Sequence, residues 1–264
     1  MILHSKNLQE SNKNGSNLQT LTVNGTRPIL GKFSKALDGA RSLSFGRSGG
    51  RNCPKQCPYH PASSSPYAAA IGARCYAANC ENRPDRSQLA AKLDRAEVAD
   101  GDTVLRGAAG ELDRRGWRLP WFRFSTFGSV PSKCTPVFRR FTARLADAGT
   151  PVHLPVFSSE QASEYRRGLD GLAVTVRESV PVQEFHSKAG AVSCVVGSMT
   201  DKPLERLRLA KMATKSRRAF VGRRCIICPA IAATVKRTGS KRAKCGACTA
   251  CANGGVDVVY PAHR

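Results

Sequence analysis

From residue 119 to residue 213 the chain alternates between two hydrophobic periods, and that alternation restricts the fold more than any other feature. "LPWFRFST" (119–126), "PVHLPVF" (151–157), "GLAVTV" (171–176) and "AVSCVVG" (191–197) are short β-rich runs. Among and after them, "TPVFRRFTARLADAG" (135–149), "SSEQASEYRRGL" (158–169) and "PLERLRLAKMA" (203–213) read as helices. The first has Pro136 in its opening turn with Phe138, Phe141 and Leu145 in register; the second opens on a Ser-x-x-Gln capping box. Upstream, "RSLSF" (41–45) reads as a strand, and "SQLAAKLDRAEV" (87–98) and "DTVLRGAAGELDRRG" (102–116) read as helices. Strands alternating with helices imply βα units and a parallel sheet covered on both faces. The expected fold is α/β: a partial or complete TIM-like (β/α) barrel, with an open doubly wound sheet as the alternative. In either, a functional site gathers at the C-terminal ends of the strands.

Composition divides the chain further. Residues 1–40 are rich in Asn, Ser, Gly and Lys and are expected to form a flexible arm. Residues 41–214 would be the barrel-like domain with its cysteine loop, and 215–264 a basic, Cys-rich metal-binding region. The start is polar and no run of about 18 apolar residues occurs, so the expectation is a cytoplasmic protein without a membrane partner. There thiols stay reduced, and the eleven cysteines point to metal rather than to disulfides.

The cysteines fall into two groups. Near the C-terminus, Cys225-x2-Cys228 is followed after sixteen residues by Cys245-x2-Cys248-x2-Cys251. Paired C-x2-C knuckles fit tetrahedral zinc, whereas the C-x2-C-x2-C run has the local spacing of ferredoxin-type iron–sulfur loops. The earlier group is Cys53-x3-Cys57-x2-His60, then Cys75 and Cys80. It directly follows the first expected strand, where an α/β site belongs. Three thiolates would leave one iron of a cluster open to a ligand; a closed Cys3His zinc site would be structural. Cys134 and Cys194 stand alone and read as small core residues, and His153 reads as a satisfied core histidine. Trp117, Trp121, Phe122 and Phe124 read as core rather than as a base-stacking platform.

The formal charge is +23, and it is unevenly placed: residues 201–244 hold fourteen Lys or Arg against Asp201 and Glu205. Such a field favours polyanions through phosphate neutralisation, so nucleic acid is the expected partner. Arg223, Arg224, Lys236, Arg237, Lys241, Arg242 and Lys244 are the candidate contacts. No GxSxG, HExxH or P-loop motif is present, which leaves no hydrolase-type constellation.

A strand, a loop with C-x3-C and a downstream "CYA" at the head of a βα array resembles the radical S-adenosylmethionine (SAM) superfamily. The closest resemblance is to a cysteine-rich family carried by phages and plasmids, matched also by Cys228-Pro229, "CGACTAC" (245–251) and His263. The likeness spans about 41–264 but is specific only in the cysteine regions. It implies that Cys53, Cys57 and Cys75 hold a 4Fe–4S cluster binding SAM, with the C-terminal thiols forming an auxiliary cluster or zinc site. Gly128, in "FSTFGSVP" (124–131), stands in the strand-end segment that would approach the cofactor. His60 occupies the place of the third cysteine of the compact superfamily motif, Cys75 following seventeen residues after Cys57. The function expected is therefore an iron–sulfur, radical-SAM-like protein acting on or binding nucleic acid or nucleotides. The alternative is a non-catalytic zinc protein that binds DNA or RNA.

Overall fold

A computed structural model describes the strands at 16–20, 29–34 and 41–43, then residues 101–124, 130, 133–198, 200–229, 231–232 and 248–262. The helix expected at 87–98 lies outside these residues.

The strands are β1 (Ser16–Thr20), β2 (Ile29–Ser34), β3 (Arg41–Leu43), β4 (Phe122–Phe124), β5 (Val152–Val156), β6 (Val174–Ser179), β7 (Val192–Val196), β8 (Arg224–Ile227) and β9 (Val256–Pro261). The helices are α1 (Gly101–Arg115), α2 (Pro136–Asp147), α3 (Ser159–Gly168), α4 (Val182–Phe185) and α5 (Pro203–Val221), with a 3-10 turn at Ala250–Ala252. Six strands form an all-parallel body in the order β4-β5-β6-β7-β9-β8. Beside β4, β3 adds in parallel, and β2 and β1 extend that edge antiparallel. The sheet is open and does not close into a complete barrel.

Local sequence explains the helices between these strands. Thr135 caps α2 by accepting from the Phe138 N–H at 3.1 Å, and Pro136 follows at a position where its missing N–H costs nothing. Ser158 caps α3 in the same way through the Gln161 N–H. α5 runs two turns past the expected 213, because no breaker intervenes before Gly222, whose left-handed φ of 66° ends the helix.

Alternation sends Phe122, Phe124, Val152, Leu154, Val156, Val174 and Val176 to the face covered by α1, α2 and α3. Val192, Cys194, Val196, Cys225 and Val259 continue that face under α4 and α5. From β3 to β7 each parallel strand lies beside its predecessor, so right-handed crossovers place α1, α2, α3 and α4 on one side. The last step reverses: β9 returns to lie between β7 and β8. Before β9, the 3-10 turn lies against the other face, where it contacts β5, β6 and β9.

Residues beyond 214 do not stand apart from the sheet. The boundary expected there falls inside α5, and β8 and β9 supply the last two strands. The pin is Asp257 of β9, fully buried, which accepts from Arg217 of α5 at 2.9 Å, from Arg223 at 3.1 Å and from the Val192 N–H at 3.0 Å. Arg217 also donates to the carbonyls of Phe185, Lys188 and Gly190, with its guanidinium 5.3 Å above the Phe185 ring.

Candidate functional site

The face opposite α1 to α5, helix-free in the sense that none of these five lies on it, carries polar side chains where an ordinary sheet would carry valine. Arg123 of β4 pairs in register with His153 of β5, and His153 with Thr175 of β6. Arg177 lies one layer further toward the strand ends, and Ser193 of β7 and Tyr260 of β9 share the face. This row is buried: Arg177 is 1% exposed, His153 3%, Ser193 4% and Thr175 6%.

Some of these groups are satisfied by the 3-10 turn. Thr175 donates to the Ala252 carbonyl at 2.6 Å. Arg177 binds the carbonyls of Ala250, Cys251 and Asn253 at 3.0–3.2 Å and that of Val192 at 2.8 Å. A charge-assisted fork thus clamps the end of the cysteine segment onto the sheet. His153 differs. Neither ring nitrogen has a hydrogen-bond partner, so the expectation of a satisfied core histidine is overturned. Burial first, then the charges of Arg123 and Arg177, push its pKa well below 6.5, and the imidazole is neutral.

The C-terminal thiols separate into two environments. Cys225 sits in β8 on the helix side, packed with Cys194 and near Thr214, and burial raises its pKa to about 11. Cys228 follows the end of β8, three residues on, and three residues along an extended chain reverse the face. Cys225 and Cys228 therefore point to opposite faces of the sheet. The Cys251 Sγ lies 3.2 Å from the Tyr260 hydroxyl. Burial, then Cys251, then Cys228, raise the Tyr260 pKa, which places both thiols beside the same phenol. Cys248 is half-buried two residues before the 3-10 turn.

Among the described residues no three Cys, His, Asp or Glu side chains converge as a metal site. Cys53, Cys57, His60, Cys75, Cys80, Gly128, Cys245 and His263 lie outside the described residues, as do Lys236, Arg237, Lys241, Arg242 and Lys244. Of the expected basic contacts, Arg223 is engaged by Asp257 and by the Gly254 carbonyl, and Arg224 is exposed at the opposite end of β8 from Cys228. Cys194 is a core residue as expected, and Phe122 and Phe124 stack into the aromatic core with Phe138 and Phe141.

The sequence reading missed Arg177, Tyr260 and Asp257. Arg177 was findable: "VTVRES" continues the β alternation past the point where the strand seemed to stop. "VDVVYP" (256–261), an apolar run beyond the last cysteine, was the corresponding signal for β9. Among the described residues no helix is long and apolar enough to cross a membrane. No family model, curated protein or solved structure matches the chain.

Proposed function

We propose that the chain is an iron–sulfur, radical-SAM-like protein whose working face is the helix-free side of the sheet, and that it acts on or binds nucleic acid or nucleotides. One observation carries the reading: a buried polar row runs across this face and ends at Cys228, Cys251 and Tyr260, on the side where the strands terminate. A scaffold sheet would bury apolar residues there.

The strand order supports a partial barrel. The 3-10 turn touches the neighbours β5 and β6 and also β9, which stands beyond β7, and Tyr260 of β9 feels the charge of Arg123 of β4. Strands spaced about 4.8 Å apart bring these together only if the sheet curves around its helix-free face. In that arrangement β3, which precedes Cys53, Cys57 and Cys75 in the sequence, ends on the same side of the sheet as β8, which Cys228 follows.

The thiols fit a metal centre when Cys225 is removed from the set. Cys228, Cys245, Cys248 and Cys251 remain, four thiolates for one zinc ion or one cluster. A cluster bound by the early cysteines would supply reductive chemistry on SAM. This chain's own residues exclude water from the face and clamp the cysteine segment through Arg177.

The test is the metal and sulfide content, with the visible spectrum, of protein purified without oxygen. Iron, acid-labile sulfide and a broad band near 400 nm support the reading and make SAM cleavage the next assay. Colourless protein holding only zinc refutes it and leaves the zinc-bearing nucleic-acid-binding protein.

A further inference from the structure

We propose that Arg123, His153 and Arg177 form a binding site for a phosphate monoester on the helix-free face, separate from the thiols. The proposal deepens the nucleotide side of the reading above by naming the group recognised, and it holds whichever metal the cysteines take.

The first observation is the histidine. Burying an imidazole without any hydrogen bond is unfavourable by roughly 1–3 kcal/mol, and native proteins seldom leave such a group unmatched. His153 sits at the centre of a sheet face, 3% exposed, with both nitrogens unpartnered. The second is Arg123, its register neighbour one strand away, whose Nε is likewise buried and unpartnered. Two residues before Arg123, the Trp121 indole N–H completes the set of orphaned donors.

Charge then selects the ligand. The hydrogen bonds of Arg177 all end on carbonyl oxygens, which satisfy its donors and supply no countercharge. The nearby Asp257 carboxylate is already shared by Arg217 and Arg223. Among the described residues Arg123 and Arg177 therefore form no ion pair with a carboxylate. An anionic ligand with several acceptor oxygens, and one P–OH proton to give to the bare nitrogen of the neutral imidazole, answers both deficits, which describes a phosphate monoester better than a carboxylate or an internal phosphodiester. Forked guanidinium donors match its oxygens in geometry.

Isothermal titration of the metal-loaded protein with inorganic phosphate, and then with adenosine 5′-monophosphate against adenosine, tests the assignment. Phosphate and the monophosphate are expected to bind one per chain, and adenosine not to bind. Arg123→Gln and His153→Gln should each weaken binding on the order of tenfold or more while leaving metal content unchanged. Lys211→Gln, on the exposed face of α5, should leave it unaltered. Absence of phosphate binding, equal weakening by Lys211→Gln, or folded Arg123 and His153 variants that bind as the parent does would each overturn the proposal. So would loss of metal from those variants with phosphate affinity intact, since their charges would then serve the thiolate centre. Should the variants not fold, the parent protein carries the test. Phosphate should protect Arg123 from phenylglyoxal while exposed Arg208 reacts unchanged, and equal reaction with and without phosphate refutes the site.

Discussion

Replacing Asp257 with Asn probes the joint that holds the last two strands in the sheet. The substitution keeps the shape of the side chain but removes its charge and turns one acceptor into a donor. Two guanidiniums then face an amide. Arg223 is partly solvent-accessible, its side chain 27% exposed, and water can compensate it. Arg217 has no exposure at all, so its charge is stranded. Breaking a buried pair in this way costs about 3–5 kcal/mol. The three carbonyls that Arg217 keeps place the expected loss near the lower bound of about 3 kcal/mol. In a domain of this size that corresponds to a fall in Tm of roughly 6–12 °C. Urea unfolding at pH 7, followed by circular dichroism, measures it. Because the pair is buried, the loss should persist in about 1 M salt, where surface pairs are screened. A loss below about 1 kcal/mol with an unchanged m-value would refute the view that Asp257 is the countercharge for Arg217.

Four further outcomes concern the thiols and the α2 cap. Cys251→Ser should lower the C-terminal metal content whereas Cys225→Ser leaves it intact; equal loss from both would return Cys225 to the ligand set. Cys53→Ala should remove only part of the iron, and loss of all metal or of none counts against two independent sites. The Cys225 thiol, raised from 9.0 to about 11, stays protonated in the fold after its unfolded counterpart has ionised. Its contribution is complete below pH 9 and is lost as the pH rises through 11, on the order of 2 kcal/mol, so urea midpoints should fall over that window and fall less in Cys225→Ala. Thr135→Ala removes the α2 cap and the hydroxyl's bond to Asp102, and thermal melts should report about 1–2 kcal/mol of destabilisation.

What the sequence determined by itself is the run of strands and helices from α1 through α5, the short α4 excepted, and the spacing of the thiols, whereas β1 and β2 fall in the stretch expected to be a flexible arm. Hydrophobic period and capping chemistry are local, and a few neighbouring residues suffice to express them: Phe138, Phe141 and Leu145 mark a helix wherever the chain goes. Thiol spacing is local too, but it states only which sulfurs could meet. Cys225 and Cys228 have the spacing of a knuckle, and the pairing of β8 with β9 draws the first into the core and turns the second to the other face. His153 looked like a core residue from its apolar neighbours. Only the strand register set it between two arginines with nothing to bond. Long-range pairing also decided that the 3-10 turn before β9 lies on the face opposite α1 to α5, because a return against the direction of winding changes sides. Burial, countercharge and face are properties of residues far apart in the chain, and the tertiary fold alone brings Arg123, His153, Arg177 and Tyr260 together.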